Sequence, residues 1–215
     1  MFGLVSTRRV RTRFPAAGMF VVALCAGCTH FKRFAYEGFR RDTWQHPDRV
    51  IESLAIHPGD HVADLGSGGG YFTFRLARAV GSSGKVFAVD VDRGMTDYVA
   101  TRARGEGVAN VEVILAKYDD PLLPESGVDL LFTCNTYHHL ENRAAYFRNL
   151  RKYLRPGARV AIIDHAGKGW FDKWFGHFTP SETIRSDMEA AGYRLEHAYD
   201  FLPRQHFLVF ALPPA

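Results

Sequence analysis

Cysteine is scarce, with three in 215 residues, so a disulfide-stapled scaffold is excluded. Internal repeats and low-complexity segments are absent. With 47% hydrophobic and 23% charged residues, the chain is neither disordered nor collagen-like. Its length suits one domain with a tail and is ample for a large core. Acidic residues are missing from positions 1–27, which hold Arg8, Arg9, Arg11 and Arg13. Removing those four from the 27 Lys and Arg leaves 23, equal to the 23 Asp and Glu, so the formal +4 belongs to the N-terminus. The rest of the chain is formally neutral, and a nucleic-acid-binding role loses its electrostatic support.

What the N-terminus contains instead is the layout of an export signal. Its basic residues precede the uncharged stretch Phe14 to Gly27. That stretch is shorter than the roughly 20 apolar residues of a membrane span and suits a signal core. It ends in Leu24-Cys25-Ala26-Gly27-Cys28, which resembles a bacterial lipoprotein signal. The resemblance implies cleavage before Cys28 and its lipidation; Cys25 stands where such signals usually carry Leu. A haem-attachment motif is excluded because Thr29 separates Cys28 from His30. Arg11 departs from the twin-arginine pattern, and Lys32, Arg33, Arg40 and Arg41 balance the earlier arginines, which blurs orientation by charge. The expected organisation is a signal over 1–27, a connector covering the domain edge over 28–45, and one domain over 46–215. A retained N-terminal anchor and a cytoplasmic protein are the alternatives to a membrane-anchored, periplasm-facing lipoprotein.

From Pro47 the pattern turns regular. A short helix from Asp48 to Leu54 leads through His57-Pro58-Gly59-Asp60 to a strand at Val62–Leu65. Strands are predicted at 85–90, 111–115, 128–133 and 158–164, and helices at 71–80, 93–104, 141–154 and 180–191. Phe147, Leu150 and Leu154 recur at helical spacing before Pro156-Gly157. Thr179-Pro180-Ser181-Glu182 reads as a capping box, and Gly192 as the stop of that helix. Two final runs, 194–200 and 206–211, read as strands flanking Pro203. Strands alternating with helices define an α/β chain with a largely parallel sheet covered on both faces.

The informative segment is Val62-Ala-Asp64-Leu-Gly66-Ser67-Gly68-Gly69-Gly70-Tyr71. Glycines between a strand and a helix permit positive φ and let the backbone approach a ligand. Asp90, at the end of the second strand, is placed to accept from a ribose diol. A dinucleotide fingerprint is disfavoured because Tyr71 occupies its third glycine position, and no Gly-Lys-Ser/Thr follows for a phosphate loop. This loop resembles motif I of the class I S-adenosylmethionine-dependent methyltransferases, and the resemblance runs in order over about residues 45–211. Trp44-Gln45-x-Pro47-Asp48-Arg49-Val50 is similar to the lead-in of a bacterial small-molecule subgroup. Val86-Phe-Ala-Val-Asp90 resembles motif II. Asp119-Asp120-Pro121-x-x-Pro124 resembles the adenine-flanking segment. Val128–Phe132 with Tyr137-His138-His139 resembles motif IV, and Leu154-Arg-Pro-Gly157 the turn before the fifth strand.

The family implies a Rossmann-like, seven-stranded, mostly parallel sheet with an antiparallel last strand, and S-adenosylmethionine as cofactor. It implies that Gly66, Ser67, Gly68 and Gly70 wrap the methionine end and that Asp64 lies near its amino group. Asp90 would take the ribose hydroxyls and Tyr118 with Asp119 the adenine border, although Ala116-Lys117-Tyr118 stands where Gly-Asp-Ala is usual. Asn135, after the fourth strand, joins this cofactor-binding set. His138 or His139 is the candidate general base, His138 being favoured because Tyr137-His138 is the part shared with the subgroup, with packing against the cofactor or helix capping as the competing roles. Asp164-His165 points to the ligand edge, with a helix-start or loop hydrogen bond as its favoured role. His138, His139, His165 and His177 match no metal spacing, and no metal is expected. Cys134 reads as a buried small residue. Whether the aromatics of 31–44 cover the cofactor or merely pack stays open.

The resulting expectation is methyl transfer from S-adenosylmethionine to a small or lipid-like acceptor. A non-catalytic, membrane-tethered lipoprotein that keeps the fold as a ligand-binding module is the alternative. A nucleotide-dependent oxidoreductase is the third reading, opposed by Tyr71.

Overall fold

A computed structural model describes residues 41–167 and 178–213. The signal, Cys25, Cys28, most of the connector and His177 lie outside the described residues. In chain order the elements are α1 (Arg41–Gln45), α2 (Pro47–Ser53), β1 (His61–Leu65), α3 (Thr73–Val80), β2 (Lys85–Asp90), α4 (Arg93–Gly105), β3 (Val111–Leu115), β4 (Val128–Cys134), α5 (Arg143–Leu150), β5 (Leu154–His165), α6 (Ser181–Ala190), β6 (Arg194–Tyr199) and β7 (Gln205–Ala211). Short 3-10 turns cover Tyr137–His139 and Arg151–Tyr153.

Seven strands form one sheet in the order β3-β2-β1-β4-β5-β7-β6. β1 pairs in parallel with both β2 and β4, and β5 pairs in parallel with β4. β7 runs antiparallel between β5 and β6. This is the expected Rossmann-like sheet with its antiparallel last strand. The order reverses between β1 and β4, where the helices leave opposite faces and open a crevice beyond the strand ends. Val62, Ala63, Val86, Leu130, Leu131, Ile162 and Phe207 are buried along the central strands. Such continuous apolar runs are what helix cover on both faces demands.

Several boundaries differ from the sequence expectation, each for a local reason. The connector ends in α1, whose Gln45 is completely buried. The helix expected over 141–154 begins after Asn142, which sits at φ 45°, and gives way to a 3-10 turn at Arg151. The fifth strand starts at Leu154, because Leu154 pairs with Val128 before the ladder resumes at Leu130 with Arg159; Gly157, at φ 79°, lets the intervening residues loop out. The capping box does not form. The helix starts at Ser181 behind an extended Pro180 without a side-chain cap, and the Thr179 hydroxyl is buried with no partner among the described residues. The C-terminal stop is as expected: Gly192 at φ 90° donates to the Glu189 carbonyl and Tyr193 to that of Met188, a Schellman closure.

Candidate active site

The crevice is built on the glycine loop. Gly66, Gly68 and Gly70 all have positive φ. At Gly66 a side chain is also sterically barred, since a Cβ would lie 2.0 Å from Thr136 Oγ1. The loop is held to the sheet by Gly66 and Ser67 N–H donating to the Val89 carbonyl at 2.8 and 3.0 Å. Asp90 fixes its far side: Gly68 N–H donates to Oδ2 at 2.8 Å and Asp92 N–H to Oδ1 at 2.9 Å. A carboxylate offers about four acceptor positions. With one backbone donor on each oxygen, Asp90 retains capacity for the two hydroxyls of a ribose.

Asp64 and Ser67 line the same crevice. Asp64 is buried and accepts from the Thr73 hydroxyl at 2.6 Å. Burial, aided by the nearby Asp90 charge and opposed by the Thr73 hydrogen bond, raises its carboxyl to about 6. A cation placed beside it would relieve that penalty. The Ser67 hydroxyl is buried with no partner among the described residues, so it too awaits one. A backbone cradle, an underused carboxylate and a buried acid fit a nucleoside cofactor that carries an amino-acid tail.

Beyond β2 and β3 the surface turns apolar. Val91, Tyr118 and Leu122 are exposed large hydrophobic residues, Tyr118 at 85%. Val91 and Tyr118 follow strand ends that the sheet pairs, since Asp90 pairs with Leu115 and Ala116 N–H donates to the Asp90 carbonyl. Exposed apolar side chains at these strand ends are of the kind that can border a base. Asp119 is exposed and Asp120 supports the loop instead: it accepts from Tyr153 Oη at 2.5 Å and from Leu122 N–H at 2.9 Å. The Tyr153 hydrogen bond holds the Asp120 carboxyl below its ordinary range.

On the other side of the crevice, β4 and β5 bring together two residues far apart in sequence. His138 Nδ1 lies 2.7 Å from Asp164 Oδ1, and both side chains are buried, at 7% and 0% exposure. The second Asp164 oxygen has no partner among the described residues. His139 is exposed, with its ring 4.0 Å from that of His138, and His165 lies 5.8 Å from His138 on another side. The structure therefore distinguishes the two candidate histidines, and Asp164, expected to make a loop hydrogen bond, is the partner of His138.

Behind them runs a buried polar chain. Gln45 Nε2 donates to Gln205 Oε1 at 2.9 Å and lies 3.0 Å from Cys134 Sγ, and Gln205 Nε2 donates to Asn135 Oδ1 at 2.6 Å. Asn135, at φ 59°, is thus held by β7 at the end of β4. Burial pushes the Cys134 thiol up to about 11, which makes it a packing residue rather than a nucleophile.

A topological-switch crevice, a glycine loop tied to an acidic strand end and an apolar rim define a nucleoside-cofactor protein of the methyltransferase class. A family model described as "Methyltransferase domain" matches residues 56–200. The chain belongs to this family, and its fold is the one that binds S-adenosylmethionine. It is 26% identical to a SAM dependent methyltransferase from Aquifex aeolicus, with a TM-score of 0.79, over 85% of this chain and 97% of that one. The Haemonchus contortus phosphoethanolamine N-methyltransferase 2 shares the fold at a TM-score of 0.64 and 14% identity, over 80% of this chain and 53% of that one. Among characterised sequences, the ubiquinone/menaquinone biosynthesis C-methyltransferase of Vibrio vulnificus is 24% identical over 68% of this chain and 60% of its own length. Phosphoethanolamine N-methyltransferase 1 of Triticum aestivum is 26% identical over 79% of this chain and 32% of its own. The chain thus matches less than two thirds of the first of these relatives and about a third of the second.

Proposed function

We propose that this protein transfers the methyl group of S-adenosylmethionine to a small-molecule acceptor bearing a removable proton. The observation that carries the reading is a juxtaposition at one sheet edge. The glycine loop locked by Asp90 follows β1 beside the end of β2, and the buried His138–Asp164 pair joins the turn after β4 to the last residues of β5. Gly66, Ser67, Gly68, Gly70 and Asp64 would hold the methionine end, Asp90 the ribose, and Tyr118 and Asp119 the adenine border. Asn135 braces the segment between them.

When bound, the cofactor supplies an activated methyl on a sulfonium. The protein's task is then in-line positioning, exclusion of water and removal of one proton. Asp164 holds the His138 ring through Nδ1, which leaves Nε2 as the basic nitrogen. His138 would take up the proton that the acceptor gives up, and the Asp164 carboxylate beside Nδ1 would balance the imidazolium.

The test is transfer of labelled methyl to a panel comprising a phenol, a hydroquinone and phosphoethanolamine, the last being the compound named for two of the relatives. Labelling of at least one acceptor is expected, with His138→Gln lowering turnover about 10²–10⁴-fold while cofactor affinity holds. Asp164→Asn should lower turnover and shift the pH–rate profile. Full turnover by both variants would remove the pair from the chemistry.

The sequence of residues 1–28 supports a further part of the reading: a lipoprotein-type signal over 1–27 that leaves an acylated Cys28 as a membrane tether ahead of the domain at 46–215. Among the described residues, no helix is long and apolar enough to cross a membrane. The intact mass of protein extracted from membranes tests this. A chain beginning at a diacylated Cys28 is expected, and an unprocessed chain contradicts it.

A further inference from the structure

We propose that Arg41, on α1, recognises the α-carboxylate of the cofactor's amino-acid end, with α1 forming the wall of that subsite. The proposal rests on the cofactor reading above and adds a binding residue to it.

The helix is short but docked at both ends. Asp42 accepts from the Tyr71 hydroxyl and from Arg75 Nη2 at 3.2 Å. Gln45, at the other end, is buried against Cys134 and Gln205. So α1 is fixed between the start of the helix after the glycine loop and the ends of β4 and β7. Arg41 spans that gap. Its guanidinium carbon lies 3.8 Å from the Tyr71 ring centroid and 5.7 Å from that of Phe72, Nη2 reaches within 3.7 Å of Cys134 Sγ, and Nε donates to Gln45 Oε1. This places a positive charge over the crevice between β1 and β4.

Asp64, on β1, is buried beside Thr73 and close enough to Arg41 to feel its charge. The amino-acid end of S-adenosylmethionine carries one carboxylate and one ammonium. Asp64 complements the ammonium and the Arg41 fork the carboxylate, a charge-assisted pairing that Lys reproduces only as a point charge. The stacking of Arg41 on Tyr71 preorganises the fork.

Two probes separate recognition from mere support of the helix. S-adenosylhomocysteine has the amino-acid end, whereas 5′-methylthioadenosine keeps the adenosine thioether and lacks it. Calorimetry on the full chain should show Arg41→Gln weakening S-adenosylhomocysteine by about 10–100-fold, the worth of one charge-assisted hydrogen bond, with 5′-methylthioadenosine changed less than about twofold. Arg41→Lys should give an intermediate loss on the first probe only, and it serves if the glutamine variant does not fold. Equal losses on both probes, or none, would overturn the proposal while leaving the cofactor reading standing. Failure of the unaltered protein to bind either probe would sink both.

Discussion

Asp64→Asn separates what this residue does for the cofactor from what it does to the fold. The folded-state carboxyl titrates near 6 against 3.8 in the reference state, chiefly through burial. The folded protein therefore binds this proton more tightly than the unfolded chain, and stability falls as pH rises through about 4 to 6. Above that window the buried charge costs up to about 3 kcal/mol, at 1.36 kcal/mol per unit. Asparagine removes the charge, and its amide oxygen still accepts from the Thr73 hydroxyl. Without cofactor at pH 8, Asp64→Asn should melt several degrees above the parent, since each kcal/mol moves a domain of this size by about 2–4 °C. The gap should close below about pH 4, where the parent carboxyl is neutral in both states. Saturating S-adenosylhomocysteine should reverse the order, because the ammonium has lost its partner. Scanning calorimetry at pH 4, 6 and 8 with and without ligand is the assay. A variant that melts at or below the parent at pH 8 without ligand would refute the reasoning.

Asp90→Asn leaves one side-chain oxygen where Gly68, Asp92 and a ribose diol need two; cofactor affinity measured by calorimetry should fall by about 1–3 kcal/mol. Unchanged affinity would place the ribose elsewhere. Gly66→Ala combines a φ of +76° with the collision against Thr136; urea unfolding should show a loss of at least about 1–3 kcal/mol, and a parental midpoint would mean the loop relaxes freely.

Much of this architecture was legible in the sequence, and the misses have a shared physical origin. β2 and β3 fall on their expected residues, because a buried parallel strand bounded by turns leaves a short apolar run that little else produces. The glycine loop and Asp90 were legible because the backbone needs glycine there and the strand end needs an acid. α1 was not: five residues, Arg-Asp-Thr-Trp-Gln, are too few to display a helical period. Its stability comes from tertiary contacts, Asp42 with Tyr71 and Gln45 with Gln205. The His138–Asp164 pair was half legible. Each residue stood out alone, but only the register of β4 on β5, Cys134 opposite Ile163, brings them together. The capping box failed because Pro180 takes an extended conformation and sends Thr179 into the interior. Tyr118 stands at a motif position yet is 85% exposed, which no local sequence signal announces, because burial of a loop residue is decided by tertiary contacts.

The central claim is that the crevice between β1 and β4 is built for S-adenosylmethionine. Isothermal titration of the folded, purified full chain with S-adenosylmethionine, beside a parallel titration with NAD, tests it most directly. One saturable site for S-adenosylmethionine and no heat from NAD is the predicted result. No binding at millimolar S-adenosylmethionine, or preference for NAD, would contradict it.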